Sequence, residues 1–523
     1  MPNAALERID LKGEQIDLSQ TQNQKLGFVV AGLLLAILMA SMDNTIVVTA
    51  MGTIVGDLGG LDSFVWVVSA FMVAEMAGMP IFGKLSDMYG RKRFFLFGSI
   101  VFMAGSALCG TATTIEQLSI YRAIQGIGGG ALIPIAFTII FDIFPLEKRG
   151  KITGLFGAVF GLSSIFGPLI GAYVTDYISW HWIFYMNLPL GMVSFVFILL
   201  FYKETKQHEK HRIDWLGAIT LVGAVVCLMF ALELGGEKYA WDSNVILTLF
   251  GSAAVLLVFF LMIERKASEP IISFHMFKNR LFAGSTLVAL CYGGTFISAT
   301  IQIPIFVQGV YGDSATNSGL VLLPMMLGSV VSAQLGGFLT TKMSYRNIML
   351  ISGLVLVSGF SLLSTLNIDT PRLLLTIYMI VVGLGVGFSF SVLSMAAIHH
   401  FGPAQRGSAT STSNFMRSLG MTIGASMFGM IQKNHFSAQM EDMSKSSGAL
   451  NLVSPNDANQ ILSSARSSMP PDVLNSITEA LSKSIVHTFT WAIFPAAAAF
   501  LLVFFMPNDR VKARANKQVN KAG

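Results

Sequence analysis

The sequence predicts an all-α integral membrane protein, and three observations carry this prediction. Of the 523 residues, 53% are hydrophobic and only 12% are charged, and the mean hydropathy is +0.65. Apolar runs repeatedly reach the ~20 residues that an α-helix needs to cross a bilayer. The 34 Lys and Arg residues stand in short clusters between those runs, as they do in the loops of multi-pass proteins.

Windows of about 19 residues predict fourteen spans. In chain order they lie near 27–50, 63–82, 94–112, 116–141, 152–174, 183–202, 214–234, 245–264, 282–308, 317–341, 347–366, 372–398, 408–431 and 485–506. The polar first 25 residues lack the apolar core and cleavage site of a signal peptide, which predicts a cytoplasmic amino terminus. In that orientation 26 Lys and Arg residues are inside and 6 outside, so both termini are predicted to be cytoplasmic.

The basic pI of 9.0 follows from this topology, so we expect no nucleic-acid surface. The three cysteines, Cys109, Cys227 and Cys291, all fall within predicted spans, where cysteine behaves as a small apolar side chain. Their spacing predicts neither a disulfide framework nor a metal site.

Charged groups inside a span are costly, about 2.5 to 3.5 kcal/mol at the helix centre on insertion scales, and are therefore functional candidates. Asp43 in span 1 and Arg122 in span 4 lie at a similar depth in the outer part of the membrane. We expect them to approach each other and to couple proton binding to helix movement. Burial favours the neutral form of a carboxyl, whereas a nearby guanidinium favours its charged form, so movement of either partner changes proton binding. A static buried salt bridge is the alternative.

Glu75 lies near the centre of span 2, and the sequence shows no obvious basic partner for it. We expect this carboxyl to bind either a proton or a lipophilic cation; a protonated packing residue is the alternative. In span 13, Asn414 and Arg417 form the main intramembrane polar pair of the second half, with a role in helix contact or in the cavity. Together with Gln125 and Glu75, they are the predicted substrate-binding residues.

The stretch GKLSDMYGRKR, Gly83 to Arg93, forms the predicted cytoplasmic turn between spans 2 and 3. Asp87 stands where it can cap a neighbouring helix amino terminus or pair with Arg91, and either contact must break if the helices move. We therefore predict a conformational switch at Gly83, Asp87, Gly90 and Arg91. A plain charged loop that only fixes the topology is the alternative.

An internal repeat supports a two-part architecture. Tyr121, Gly126, Gly128 and Gly130 reappear at Tyr378, Gly383, Gly385 and Gly387, each displaced by 257 positions. Spans 1 to 6 thus match spans 9 to 14, and spans 7 and 8 are an inserted pair. Such repeats commonly surround a site that opens alternately to the two sides.

Five stretches resemble motifs of the major facilitator superfamily, in particular its drug:proton antiporters with fourteen spans. They are the turn GKLSDMYGRKR, SMDNTIV (41–47), YRAIQGIGGGA (121–131), GLSSIFGPLIGA (161–172) and WHWIFYMNLPLG (180–191). The resemblance implies the major facilitator fold, with two pseudo-symmetric six-helix halves plus two inserted helices. It also implies that the fifth-span positions Gly161, Gly167, Pro168 and Gly171 form a hinge that controls leakage, whereas close helix packing alone is the alternative.

The predicted organisation follows from the spans. It comprises a cytoplasmic tail (1–26), an N-terminal half (27–202), an inserted helix pair with linkers (203–281), a C-terminal half (282–506) with an extracellular loop (433–483), and a basic tail (507–523). Within the loop, NDANQILSSA and PDVLNSITEAL predict short lid helices, with disorder as the alternative.

The resemblance predicts a proton-coupled multidrug antiporter of the bacterial cytoplasmic membrane, functional as a monomer. It would exchange protons for small lipophilic substrates, such as cationic or amphipathic antibiotics, dyes and biocides. Export of one endogenous metabolite or lipid and monovalent cation:proton exchange are the alternatives. We expect no cofactor and no enzymatic activity, because the sequence shows neither a catalytic acid, base and nucleophile set nor a nucleotide-binding cassette.

Overall fold

The computed structural model describes residues 18–59, 65–204, 213–236, 238–313, 320–447 and 471–511, and the bundle that they form is helical. We number its fourteen long helices α1 to α14. They are α1 Leu18–Leu58, α2 Val65–Tyr89, α3 Arg91–Cys109, α4 Ile115–Ile143, α5 Leu146–Tyr177, α6 Asn187–Phe201, α7 Trp215–Leu234, α8 Asn244–Glu264, α9 Arg280–Gly309, α10 Leu323–Leu339, α11 Tyr345–Leu363, α12 Arg372–Ile398, α13 Arg406–Ser447 and α14 Pro471–Val503.

Twelve candidate spans are long and apolar enough to cross a membrane, so the chain is a multi-pass membrane protein; the sixth of them, Trp182–Phe201, consists of α6 and the short helix Trp182–Tyr185 that precedes it. The other two long helices are α10 and α13. The apolar α10 has only 17 residues, and the 42-residue α13 is rich in Ser, Thr and Asn. The prediction of spans is therefore confirmed at twelve positions.

The helix packing repeats along the chain. In the first half α1 packs on α5 and α6, and α4 packs on α2 and α3; in the second half α9 packs on α13 and α14, and α12 packs on α10 and α11. Glycines allow the close approach: an added Cβ at Gly128 would lie 2.4 Å from the Phe102 nitrogen, and one at Gly385 would lie 2.7 Å from Leu356 backbone. Helices α7 and α8 pack against each other, and α7 also contacts α2.

The two groups of helices meet tightly at the end that is predicted to be cytoplasmic. An added Cβ at Gly150 in α5 would lie 2.1 Å from the Gly337 carbonyl oxygen in α10, and the reciprocal distance is 2.0 Å. Gly83 in α2 faces Ser411 in α13 with similar closeness. Since only glycine fits such contacts, this end of the bundle is closed in the structure.

The segment between the last two spans differs from the prediction. Helix α13 continues to Ser447, and PDVLNSITEAL forms the first turns of α14 and not a separate lid helix. Glu479 and Lys483 stabilise these turns as an i,i+4 ion pair of 2.7 Å. The other predicted lid helix, NDANQILSSA, lies outside the described residues, as do 1–17 and 512–523.

Candidate functional site

Asp43 of α1 and Arg122 of α4 form a salt bridge in the bundle interior. The Arg122 Nη1 group donates to Asp43 Oδ2, and neither side chain has any exposed surface. The contact is expected from the matching depth of the two residues. A buried pair pays a large desolvation cost unless further hydrogen bonds satisfy its remaining atoms.

Those further bonds come from two amides. Gln125 Nε2 donates to Asp43 Oδ1 over 2.9 Å, and Asn187 Nδ2 donates to the same oxygen over 2.7 Å. Both amides also contact Ser106 Oγ, at 3.2 and 3.0 Å. The Asp43 carboxylate on α1 is thus held by one cation and two neutral donors that come from two other helices, α4 and α6.

Arg122 is fixed on its other faces. Its Nε group donates to the Val67 carbonyl over 3.2 Å, and its guanidinium carbon lies 4.2 Å from the centre of the Phe71 ring. Val67 and Phe71 both belong to α2. Any movement of α2 relative to α4 therefore acts directly on the group that balances the Asp43 charge.

Glu75 also lies on α2 and is buried, with 9% exposure. Its hydrogen-bonding neighbour is Asn44, and both Arg122 and Asp43 are close enough to influence it electrostatically. Asn44 in turn accepts from Arg122 Nη2 over 3.4 Å. The sequence shows no obvious basic partner for Glu75. The structure brings it to the edge of the Asp43–Arg122 cluster, without a direct salt bridge to the arginine among the described contacts.

A second polar cluster lies at the end predicted to be cytoplasmic. Asp87 Oδ1 accepts from Arg91 Nη2 over 2.9 Å and from the backbone nitrogen of Gly407 over 2.8 Å. Asp87 Oδ2 accepts from the Ser408 nitrogen over 2.7 Å and from its hydroxyl over 3.0 Å. Asp87 therefore both pairs with Arg91 and caps the amino terminus of α13, which belongs to the second half.

Arg91 extends this cluster. Its guanidinium donates to Asp142 of α4 and to the Pro403 carbonyl, the latter over 2.6 Å. Arg406 of α13 approaches the other Asp142 oxygen at 3.1 Å. The turn that follows Asp87 depends on Gly90, whose φ of 107° disfavours other residues. We call Asp87, Arg91, Asp142, Gly407 and Ser408 the inner latch.

The fifth-span glycines divide between two neighbours. Gly161 faces Val330 of α10, where an added Cβ would lie 3.0 Å from a methyl group. Gly167 and Gly171 face α1, where added Cβ atoms would lie 1.9 Å from Thr45 Oγ1 and 2.5 Å from Thr49 Oγ1. Pro168 lies inside α5, where it leaves one carbonyl without its helical donor.

Asn414 and Arg417 lie one turn apart on α13, away from the Asp43 cluster. Arg417 Nη2 donates to the Ser389 carbonyl over 3.0 Å, and its guanidinium carbon lies 4.9 Å from the centre of the Phe390 ring. Arg417 Nε and Asn414 Nδ2 are buried and have no hydrogen-bond partner among the described residues. Gln125, predicted with them as a substrate ligand, instead has its polar atoms bonded to Asp43, Arg122 and Ser106.

Asn187 and Ser106 are the functional candidates that the sequence analysis did not select. Asn187 lies in the stretch WHWIFYMNLPLG, which carried a family resemblance but no assigned role. A buried Asn in an apolar run was the available signal. Its meaning depends on the fold, because a short helix, Trp182–Tyr185, turns the chain so that α6 begins beside Asp43.

Comparison with known proteins agrees with this architecture. Residues 33–425 match the family described as Major Facilitator Superfamily. The chain is 55% identical over 507 residues to Multidrug resistance protein 3 of Bacillus subtilis (strain 168), covering 96% of this chain and 99% of the relative. It is 36% identical over 525 residues to Multidrug transporter protein MdtP of the same organism, covering 96% of each.

Solved structures show the same fold at low sequence identity. The human organic anion transporter MFSD10 (TETRAN) superposes with a TM-score of 0.59 at 15% identity, covering 91% of this chain and 99% of the other. The proton:xylose symporter XylE superposes with a TM-score of 0.58 at 15% identity, covering 94% and 98%. From the family match and the identities to its relatives, the chain belongs to the Major Facilitator Superfamily and is a membrane transporter rather than an enzyme.

Proposed function

We propose that the chain is a proton-coupled multidrug efflux antiporter of a bacterial cytoplasmic membrane. The observation that carries the coupling is the buried Asp43 carboxylate of α1, held by Arg122 and Gln125 of α4 and by Asn187 of α6. The nature of the cargo is supported by the names of two relatives, a multidrug resistance protein and a multidrug transporter. The cargo comprises small lipophilic antibiotics, dyes and biocides that are amphipathic or cationic.

The proposed topology has fourteen spans and two cytoplasmic termini. Helices α10 and α13 complete the count, and each packs as its counterpart α2 or α5 packs in the first half. The proposed units are the tail 1–26, the halves 27–202 and 282–506, the inserted pair 203–281 and the tail 507–523. We also propose that one chain suffices for transport, because Asp43 and Arg122, and likewise Asp87, Arg91 and Asp142, find their counter-charges within it.

The proposed coupling uses Asp43, Glu75 and Arg122. When a proton neutralises Asp43, Arg122 loses its counter-charge, and its bonds to α2 become the stronger constraint on its position. Glu75 also lies on α2, and the electrostatic field at its carboxyl then changes. Proton binding at either carboxyl is thereby linked to the position of α2, and linkage requires that helix position also changes proton affinity.

The proposed switch is the inner latch together with Gly83, Gly90 and the α5 glycines. In the described conformation the latch joins the two halves at the predicted cytoplasmic end, so the transporter is closed to the cytoplasm. Opening inward must break the bonds from Gly407 and Ser408 to Asp87. The hinge in α5 would then act at Gly161, Gly167, Pro168 and Gly171, where the helix contacts α10 on one side and α1 on the other.

The proposed substrate ligands are Glu75, Gln125, Asn414 and Arg417. Glu75 provides a buried acid that suits a cationic cargo, so proton and cargo compete for it and exchange follows from the competition. Asn414 and Arg417 provide free donors on the other half. Gln125 is engaged with Asp43 in this conformation, so contact between Gln125 and cargo requires that this bond opens.

The test is dye extrusion in energised inverted membrane vesicles, with the vesicle pH gradient followed by a fluorescent probe. We expect wild-type protein to accumulate ethidium and to dissipate part of the gradient when ethidium is added, and we expect Asp43→Asn to abolish both. If Glu75 selects charge, Glu75→Gln should abolish transport of cationic dyes and leave transport of neutral dyes unchanged. If Glu75 carries the proton, the variant should lose transport of both.

Two surface variants serve as matched controls. Asp369→Asn changes an exposed loop residue, and Glu479→Gln changes a half-exposed member of an i,i+4 pair, so both should behave as wild type. The proposal fails if Asp43→Asn still couples dye addition to proton movement at normal expression. Gradient collapse on addition of Na⁺ or K⁺, with no dye transport, would instead favour a monovalent cation:proton antiporter.

A further inference from the structure

Four buried donor atoms on α13 have no hydrogen-bond partner in the described part of the chain, and two of them, Asn414 Nδ2 and Arg417 Nε, lie one turn apart. Asn414 is 9% exposed, and neither its Nδ2 atom nor the Nε atom of Arg417 has a hydrogen-bond partner there. No described carboxylate forms an ion pair with Arg417, whereas Arg122, the other arginine within a predicted span, has Asp43. Because a buried donor without a partner is costly, an acceptor from outside the described residues would stabilise this pair, and an anionic acceptor would also supply the counter-charge that Arg417 lacks among them.

An aromatic surface lies beside these donors. The Arg417 guanidinium stands over the Phe390 ring, and that ring stacks on Phe160 of α5 with centroids 6.2 Å apart and planes at 16°. Phe296 of α9 meets Phe390 edge-on at 6.0 Å. Phe160 belongs to the first half and Phe390 to the second, so the aromatic surface bridges the two halves that must separate during transport.

The free donors lie at about the same depth as Glu75. Asp87 contacts Gly407 and Ser408, while Gly83 contacts Ser411, so α2 and α13 run antiparallel. From that contact Glu75 is eight residues along α2, about 12 Å, and Arg417 is six residues along α13, about 9 Å, at ~1.5 Å per residue. The difference is less than one helical turn. One half thus presents a buried acid and the other a partly buried base at a common level.

We propose that Arg417 and Asn414 bind the anionic group of a substrate, and that the preferred substrate class is an amphipathic zwitterion that carries a carboxylate and a cationic nitrogen. The inference rests on the proposed efflux function and specifies its cargo. Arg417 offers the planar donor geometry that matches a carboxylate, and Asn414 adds a donor one turn away. The phenylalanines contact the apolar body, and Glu75 receives the cationic end.

The test uses two dyes that differ in one group. Rhodamine 110 carries a free carboxylate beside its cationic ring system, and rhodamine 123 is its methyl ester. Uptake of each dye is measured in energised inverted vesicles. We expect the wild-type protein to transport both, and we expect Arg417→Gln to lower rhodamine 110 transport about tenfold or more, the effect of a lost charge-assisted hydrogen bond, with rhodamine 123 within twofold of wild type.

Further variants separate recognition from folding. Asn414→Asp preserves size but places an anion beside Arg417, so it should also lower rhodamine 110 transport selectively. Arg417→Lys retains the charge and should keep part of the activity. Arg372→Gln, the same change at an arginine whose side chain is 64% exposed, should alter neither dye. Binding of rhodamine 110 to the purified protein, followed by fluorescence anisotropy, gives a readout that does not depend on coupling.

Several results would overturn the inference. Equal loss of both dyes in Arg417→Gln would make Arg417 a structural residue, and unchanged transport of both would exclude it from the site. If wild type transports rhodamine 123 but not rhodamine 110, the zwitterion class is wrong while the efflux function stands. If the dye selectivity disappears in vesicles without anionic lipids, the anion at Arg417 is a lipid headgroup and not the cargo.

Discussion

Replacing Asp87 by Asn should open the transporter towards the cytoplasm. Four of the hydrogen bonds that the carboxylate accepts are described: one from Arg91 within the first half and three from Gly407 and Ser408 across the halves. An amide keeps a single acceptor oxygen and directs its NH₂ group at donors. The substitution also removes the negative charge that faces the amino terminus of α13.

The magnitude follows from the lost contacts. A hydrogen bond to a charged group contributes about 1.5–3 kcal/mol, and Asn can satisfy about half of the four. Loss of two bonds at the lower value costs about 3 kcal/mol, which is a factor of roughly 160 in an equilibrium constant. A transporter that is closed at this end in a ratio of about 99:1 would then move to roughly 40:60.

The assay is a distance measurement between the halves. Lys148 near the start of α5 and Lys342 after α10 are exposed residues on opposite halves, beside the Gly150–Gly337 contact. Spin labels at cysteines introduced there, with the three native cysteines replaced by Ser, report that separation in reconstituted protein. We expect one short distance in the otherwise unchanged protein and a major second, longer distance in Asp87→Asn.

The matched control is Asp369→Asn, which makes the same chemical change at an exposed loop position. Its distance distribution should remain that of the parent protein. If Asp87→Asn also leaves the distribution unchanged, the inner latch does not hold this end closed, and the loop 83–93 is only a topology signal.

Two further predictions concern packing and the buried carboxylate. Gly167→Ala should reduce transport at least tenfold, because its Cβ would lie 1.9 Å from Thr45 Oγ1, whereas Gly251→Ala, with no atom within 4 Å, should be neutral in the same dye assay. Asn187→Ala and Asp43→Asn should be non-additive by about 1–2 kcal/mol in thermal unfolding of the purified protein. Additivity within about 0.3 kcal/mol would mean that Asn187 does not hold the carboxylate.

The sequence predicted those parts of the structure that depend on periodicity and local spacing. Twelve apolar helices follow from hydropathy, and the pairing of Asp87 with Arg91 follows from their i,i+4 spacing. The Asp43–Arg122 contact could be inferred because a buried charge needs a counter-charge and few were available at that depth. In each case one physical requirement, such as a span length or a counter-charge, could be met by very few residues of the sequence.

The remaining features depend on tertiary contacts that no local pattern encodes. Asp87 caps a helix whose first residues lie about 320 positions away, and nothing in the loop specifies which helix that is. Asn187 could not be assigned because its position depends on the short helix before α6. Glu75 was expected to lack a basic neighbour, yet the approach of α2 to α4 brings it near Arg122.

The Gly150–Gly337 contact has a mechanical consequence. Two bare backbones lie against each other there, so separation exposes peptide groups that water can solvate and requires no side chain to change its rotamer. Two helices in such a contact can separate without a large steric barrier. They re-form the contact in one register, since any lateral offset leaves a gap. The shape of the Gly150–Gly337 contact would thus determine how accurately the two halves close again, while the ionic bonds of the inner latch would hold them closed.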